Sequence, residues 1–373
     1  TVTITGSLSN SALDLGAGIN ELTAMKVVKG KDVYQTLSNV NIDASGNDSV
    51  VGTDVTTIKA GAYKMGATGN HIKLGDGANN VTLNSIYGRY DANKVDIDLG
   101  AATGAAIQTL TVNGNVNNAT IKSGTGADDI DIKGAILKNT DINLAAGDNT
   151  LDVGKSSKGL TYTGGAGKDT VTITGSLSNS ALDLGAGANS LTAMKTVKGI
   201  DVYQTLSNVN IDASGTAGTD ATTIKAGAYK NGATASNHIK LGAGKNDVIL
   251  NSITGAKGFN TQMTLGDPTN AFEQKLTVNG AVNRLEYTGS EGDDKIKMLG
   301  AVSNSTINMG NGVNTFEALK ADKTGAMRGQ TLTNVDILAG AGADTISYGK
   351  FVLGTGNNTI NLGNGLDVIN LVA

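Results

Sequence analysis

The feature that most constrains this chain is a register of about 20 residues, clearest over residues 120–198, in which residue types recur in fixed columns. Ile121, Ile142, Tyr162 and Leu182 share one column, Ile130, Leu151, Val171 and Leu191 a second, and Ile136, Ser157, Leu177 and Val197 a third. Gly126, Gly147, Gly167 and Gly187 form a fourth. Within each segment apolar and polar residues alternate, as in Asp129-Ile130-Asp131-Ile132 and Thr170-Val171-Thr172-Ile173, the period-2 pattern of a strand with one buried face. Antiparallel hairpins would not return the same residue type every 20 positions in one direction, whereas stacked parallel strands do. A corner repeated in every coil needs positive φ or close backbone approach, and Gly supplies both. The expected fold is an all-β parallel β-solenoid (β-helix) with about 20-residue coils and Gly-x-Gly-x-Asp/Asn corners. About 15 coils at about 4.8 Å each would make one continuous rod on the order of 75 Å long.

A second, longer period overlies the first. Residues 1–46 reappear as 170–215 with changes only at Ile19/Ala188, Glu21/Ser190, Val27/Thr196 and Lys31/Ile200. Such near-identity marks a tandem duplication. It divides the chain into a first repeat unit, 1–169, a second, 170–337, and C-terminal coils, 338–373. The longer segments, such as 41–70 and its counterpart after Asn210, are expected to carry loops that bulge from the coils.

Composition agrees with a slim core shared between coils. With 52 Gly, one Pro, no Trp and 3% aromatics in 373 residues, the chain lacks the bulky side chains of a large globular core. Its 39% hydrophobic content argues against disorder, and no apolar run approaches the roughly 20 residues of a membrane span. The net charge of −4, from 29 basic and 33 acidic residues scattered along the chain, offers no basic stripe for nucleic acid. The absence of Cys removes disulfides, thiolate metal sites and a cysteine nucleophile.

The corners carry a more specific pattern. Gly164-Gly165-Ala166-Gly167-Lys168-Asp169-Thr170-Val171-Thr172 fits the nine-residue template G-G-x-G-x-D-x-U-x with Val171 as the apolar U. Variants end at Asp128, Asn189, Asn314, Asp344 and Asp367. On these motifs the chain resembles RTX-type parallel β-helices, and the resemblance implies calcium held between stacked turns. RTX repeats follow one another every nine residues, a step kept here only by 354–358 followed by 363–367. Elsewhere each coil has a motif on one edge. That spacing is closer to the β-helical bacterial surface-layer proteins and large repetitive adhesins, whose Thr-, Asn-, Gly- and Ala-rich, Cys-free composition the chain shares.

The column after the Gly corner alternates carboxylate and amide: Asp128, Asn149, Asp169 and Asn189, then Asp294 and Asn314. Stacked carboxylates about 5 Å apart repel unless a cation lies between them, whereas Asn ladders without charge. Calcium takes six to eight oxygen ligands and accepts both carboxylates and backbone carbonyls. Asp128, Asp169, Asp294, Asp344 and Asp367 are therefore the candidate calcium ligands. The alternative is that they only cap and ladder. Asn20, Asn79, Asn189, Asn246 and Asn358 replace the carboxylate and lower the charge of any site.

Catalytic groupings are sparse. His71 and His238 are one residue in two copies, each within Asn-His-Ile-Lys-Leu, with no second His nearby to build a zinc site or triad. Adjacent acids at Asp128-Asp129 and Asp293-Asp294 point to opposite faces of a strand and so make no acid/base couple. No Gly-Lys-Ser/Thr follows the Gly-x-Gly turns to make a P-loop. Thr-x-Thr pairs such as Thr109/Thr111 are not repeated on every coil, as an ice-binding face would require.

The sequence thus points to a non-catalytic extracellular structural protein, secreted or on the cell surface of a bacterium or archaeon. It is expected to self-associate head to tail or laterally into a layer or filament, with calcium as stabiliser and cell-surface polysaccharide as a further partner. Thr1 starts just after a corner and the chain stops in strand-like residues, so these ends are expected to offer strand edges for pairing unless further sequence caps them. Two other readings stand beside this one. In an adhesin stalk, the loops at 46–55 and 255–272 make the contacts; in a polysaccharide-active β-helix enzyme, acids converge on one groove.

Overall fold

A computed structural model describes residues 1–45, 54–65, 70–89, 93–100, 106–215, 220–232, 237–267, 269, 271–352 and 358–373. Strands, turns and bends account for all of the regular structure among these residues, and there is no helix. The chain forms two compact units, Thr1–Leu184 and Gly185–Ala373.

In the first unit two stacks of parallel strands run side by side. One contains Asn20–Val28, Thr56–Lys64, Asn80–Tyr87, Thr109–Val112, Asp129–Ile132, Thr150–Val153 and Thr170–Ile173. Its inward column is Leu22, Ile58, Val81, Leu110, Ile130, Leu151 and Val171, all buried. The other stack contains Leu37–Ala44, His71–Leu74, Val95–Asp98, Ala119–Lys122, Thr140–Asn143, Leu160–Thr163 and Leu177–Asp183. Its inward column is Ile42, Ile72, Ile97, Ile121, Ile142, Tyr162 and Leu182. Burying one such side chain stabilises by about 1.5–3 kcal/mol, so each coil depends on apolar contact with its neighbours.

The second unit repeats the scheme. Leu191, Ile224, Val248, Leu276, Ile296, Phe316 and Ile346 form one buried column, and Ile211, Ile239, Met263, Tyr287, Ile307 and Ile337 the other. Two expectations need correction here. Val197 leaves the third column, because it stands half-exposed on an antiparallel hairpin opposite Ile200. The segment 255–272, expected as a contact loop, contains the core strand Thr261–Leu265, whose Met263 and Leu265 are buried. Residues 46–53 of the other expected loop, and most of 354–358, lie outside the described residues.

Two kinds of corner turn the coils. At the first, Gly stacks on Gly: a Cβ on Gly147 (φ +133°) would lie 2.0 Å from the Gly126 carbonyl oxygen, and one on Gly342 (φ +150°) would lie 1.8 Å from that of Gly312. At the second corner Asn adopts left-handed backbone, with φ between 48° and 58° at Asn10, Asn39, Asn179, Asn208, Asn304 and Asn334. Asn tolerates this region better than other side chains, and its amide bonds along the stack, Asn39 Nδ2 donating to Asn10 Oδ1 at 2.9 Å.

Among the described residues three antiparallel hairpins interrupt the parallel order. They join Asn20–Val28 to Lys31–Tyr34, Ser190–Val197 to Ile200–Tyr203, and Leu319–Ala321 to Met327–Gly329. Lys29-Gly30 and Lys198-Gly199 have positive φ at both residues, the type I′ geometry whose twist suits a two-residue hairpin. Each hairpin follows a column Asn (Asn20, Asn189 or Asn314) and precedes a Gln-Thr-Leu that re-enters the solenoid at Leu37, Leu206 or Leu332. The third occurrence shows a diverged copy of the duplicated segment, since Gly300-Ala301-Val302-Ser303-Asn304-Ser305 matches Gly175-Ser176-Leu177-Ser178-Asn179-Ser180 in both sequence and strand pattern.

Stacked Gly corners give a direct test. Gly147→Ala, which forces a methyl against a backbone oxygen, is expected to cost about 3 kcal/mol or more. Gly6→Ala, where nothing lies within 4 Å of the added carbon, is expected to cost under about 0.5 kcal/mol. Equal melting temperatures for the two variants would contradict this account.

Candidate functional site: a buried polar column at the corner

Parallel strand pairing ends at a corner, and the N–H groups there need other acceptors. In most coils one side chain provides them, while at Asn20 and Asn189 the backbone carbonyls of Val55 and Gly187 do so. In the first unit, Asn79 Oδ1 accepts from Thr56 N (2.7 Å), Gln108 Oε1 from Asn79 N (3.1 Å), and Asp128 Oδ1 from Gln108 N (3.0 Å). Asn149 Oδ1 then accepts from Asp128 N (3.0 Å) and Asp169 Oδ1 from Asn149 N (3.1 Å). In the second unit the chain runs from Thr222 N to Asn246 Oδ1 (2.9 Å) and from Asn246 N to Gln274 Oε1 (3.3 Å). It continues from Asp294 N to Asn314 Oδ1 (2.9 Å), Asn314 N to Asp344 Oδ1 (2.8 Å) and Asp344 N to Asp367 Oδ1 (3.0 Å). Every member except the half-buried Asp367 is buried.

All five sequence-predicted aspartates therefore lie in this column. Gln108 and Gln274 belong to it as well, although no Gly-x-Gly precedes them; the signal that could have found them is their 20-residue spacing from Asp128 and Asp294. Asn358 does not belong. Its Oδ1 accepts from Val335 N at 2.8 Å, on the other strand stack.

The amide members use both limbs. Nδ2 of Asn79, Asn246 and Asn314 donates to the carbonyls of Gly75, Gly242 and Gly310 at 2.8, 3.0 and 3.1 Å. A carboxylate in the same place has no hydrogen to offer. The outer oxygens of Asp128 and Asp344 are buried without a well-formed hydrogen bond. Burial pushes the Asp128 carboxyl up to about 6, against smaller downward pulls from the Ser123 hydroxyl and the Gln108 N–H. It likewise pushes Asp169 up to about 7, against hydrogen bonds from Asn149. Asp294 rises to about 7 for the same reason, although Ser290 N and Tyr287 Oη donate to its Oδ2 at 3.2 and 3.4 Å. Asp344 is raised by burial and further by Asp367. A protonated carboxyl regains the donor that Asn has, so the column accepts Asp most readily as the neutral acid.

Calcium makes different demands. It takes six to eight oxygens with enough negative charge to replace its water. Asp128 stands between Gln108 and Asn149, and Asp294 precedes Asn314, so in these steps one carboxylate meets amides rather than another acid. Among the described residues no group of three or more His, Cys, Asp or Glu side chains surrounds a common point. At Asp128 and Asp294 the column thus offers a single carboxylate among amide and backbone oxygens. Within this column, among the described residues, only the step from Asp344 to Asp367 stacks two carboxylates on neighbouring coils.

The remaining polar groups are dispersed. Asp129 and Asp293 are exposed while their neighbours Asp128 and Asp294 are buried, as strand alternation requires. His238 Nε2 lies 2.9 Å from Asp212 Oδ2 on an adjacent strand. Close to that pair, Asp212, Lys240, Thr264 and Asp267 line a groove of about 490 Å³.

No family model matches the chain, and no curated protein does. Among solved structures it is similar to a TibC-catalysed, hyper-glycosylated TibA55-350 fragment, with 14% identity over 96% of this chain and 99% of that one and a TM-score of 0.31.

The raised carboxyls predict a pH dependence. Their folded pKa exceeds the unfolded value of about 3.9, so between about pH 4 and 7 the folded state binds more protons and stability falls as pH rises. The melting temperature is expected to fall across that window. Asp128→Asn and Asp169→Asn should each flatten the fall and raise stability at pH 8 by on the order of 1–2 kcal/mol, with little effect at pH 4. Destabilisation by either substitution at pH 8 would refute the neutral-acid account.

Proposed function

We propose that this chain is a non-catalytic structural protein of the extracellular surface that self-assembles through its repeated outward features. The observation that carries the proposal is the recurrence of the projecting hairpin at three equivalent coil positions. Each hairpin presents exposed apolar residues that a soluble surface does not need: Val27, Val28 and Val33 on the first, Val197, Ile200 and Val202 on the second, and Met327 on the third. Val27 is 63% exposed and Ile200 69%. Repetition turns a weak contact into a strong one, because each added engagement is intramolecular once the first has formed. The stacked columns supply a scaffold that holds the copies in fixed orientation within each unit.

Calcium enters this reading at one step only, Asp344 and Asp367, where the outer oxygen of Asp344 is buried and lacks a well-formed hydrogen bond. A cation there would relieve the repulsion between the two carboxyls. A secreted or cell-surface location in a bacterium or archaeon belongs to the same proposal, supported by the repetitive Cys-free composition.

A second reading, an adhesin-like segment that binds surface polysaccharide, is favoured by the groove of about 490 Å³ beside His238. Its Asp212, Lys240, Thr264 and Asp267 offer acceptors and donors suited to sugar hydroxyls.

Sedimentation velocity over a hundredfold concentration range, with and without millimolar calcium, separates these readings. Self-assembly predicts a sedimentation coefficient that rises with concentration. A calcium-dependent rise in melting temperature that vanishes in Asp367→Asn would place the ion at the last step. A monomer at every concentration and calcium level rules out the assembly reading and leaves the groove to be tested by glycan binding.

A further inference from the structure

We propose that the projecting hairpins dock on the outward strand face of a second copy of this chain, at Asp129, Asp131 and Asp152. This deepens the self-assembly reading above and rests on it.

The hairpins are cationic as well as apolar. Over the excursions 25–34, 194–203 and 319–329 lie eight of the 29 basic residues but only three of the 33 acidic ones, so they carry five positive charges net in a chain of net charge −4. Cross-strand register puts the two characters on the same side. In the first hairpin Lys26 pairs with Val33 and Val28 with Lys31; in the second Lys195 pairs with Val202 and Val197 with Ile200. Side chains of paired and next-but-one residues share one face of a ribbon. Each of these two hairpins thus presents a face where β-branched side chains and lysine lie together, and in the third Lys320 pairs with Arg328. Among the described residues, neither Lys31–Tyr34 nor Ile200–Tyr203 pairs with any strand besides its hairpin partner.

The complementary face lies on the first unit. Asp131 and Asp152 are direct partners on adjacent parallel strands, and Asp129 sits two residues before Asp131 on the same face. Adjacent strands lie only about 4.8 Å apart, so these carboxylates repel one another. Lys133, at 4.0 Å from Asp131, is the one cation near enough for an ion pair among the described residues. After the effect of burial, the repulsion from Asp152 and Asp131 raises the Asp129 carboxyl above its ordinary range. On the flanking strands the same outward positions hold Thr109 and Thr111 on one side and Thr170 and Thr172 on the other. Their methyl groups give the Val and Ile side chains of a docked hairpin an apolar border. The excess positive charge and the uncompensated negative charge thus occur on the same chain, which favours a second copy over an unrelated partner. The lysine side chains would relieve a repulsion that already exists in the folded chain, and such complementarity acts mainly on encounter and register.

The test combines charge reversal with a mixing experiment. Two variants are made in the full chain, Lys26→Glu/Lys195→Glu/Lys320→Glu on the hairpins and Asp131→Lys/Asp152→Lys on the strand face, and circular dichroism verifies that both keep wild-type strand content. Wild-type association measured by sedimentation should weaken at least tenfold between about 20 and 500 mM salt, as screening predicts. Each variant alone should associate at least tenfold more weakly than wild type, and an equimolar mixture of the two should recover association. Wild-type behaviour of either variant, or failure of the mixture to recover, overturns the proposal while leaving self-assembly intact. A wild-type chain that stays monomeric removes both. Binding of wild-type chain to phosphatidylglycerol vesicles that the hairpin variant loses and the strand-face variant keeps would assign the hairpins to an anionic lipid surface, and would also overturn the proposal.

Discussion

The structure depends on one hydrogen bond repeated along each column: a side-chain oxygen at the corner accepting the N–H of the coil before it. The strands themselves are secured by parallel pairing and by buried aliphatic columns, which need only alternating apolar residues. Corners lack that support. A buried N–H left without an acceptor costs about 1–3 kcal/mol, and a solenoid faces that cost again from coil to coil. The column therefore demands a short side chain with an oxygen at the same place each time, behind a Gly turn compact enough to let coils approach. Thr56 N to Asn79, Asn79 N to Gln108 and Gln108 N to Asp128 show how strictly the demand is met even when coil length varies.

That requirement admits Asn, Gln and Asp, which differ in what they do with the second limb. Asn places a donor against the turn carbonyls, and Asp must first take up a proton to do the same. The column tolerates Asp at a cost that vanishes in mild acid, so the hydrogen-bond column by itself needs no cation to hold a carboxylate. Two carboxylates in succession are harder to accommodate. They occur only at Asp344 and Asp367, the step where the proposal places a cation, and there the outer member is half-buried and partly solvated.

Much of this was legible in the sequence because a solenoid writes its contacts at constant spacing. The pairing of Ile121 with Ile142 and Tyr162, and of Ile130 with Leu151 and Val171, follows from aligning 20-residue segments. The reading failed where the spacing changes or the residue type shifts. Gln108 and Gln274 reach the column with one more methylene and no Gly motif to announce them. Val197 matched a column by count, but the hairpin beginning at Met194 diverts the chain before the count is complete, and Leu206 re-enters in its stead. The inward orientation of Asp128 and Asp169 was hidden for another reason. A Gly-x-Gly-x-Asp turn can aim its carboxylate at a cation or at the next coil's backbone, and only the burial of the turn distinguishes the two.

The hairpins show how such a fold acquires a surface without risk to its core. An insertion within a strand would shift every inward side chain to the outer face, whereas an even excursion that leaves after Ala24 or Ala193 and returns at Gln35 or Gln204 preserves register. The hydrogen bonds Gln35 N to Ala24 O and Gln204 N to Ala193 O, both 2.8 Å, close the base of each excursion. Beyond that closure the ribbon is free of the column's demands, and its residues can change with little effect on stacking. Three of the four differences between the two near-identical windows fit this division: Val27/Thr196 and Lys31/Ile200 lie on the hairpin, and Ile19/Ala188 at an exposed turn. Duplication of the segment copies the excursion along with the coil. A chain built this way multiplies an outward ribbon each time the segment is duplicated, and the backbone order that makes the coils stack also fixes the orientation of every copy within its unit.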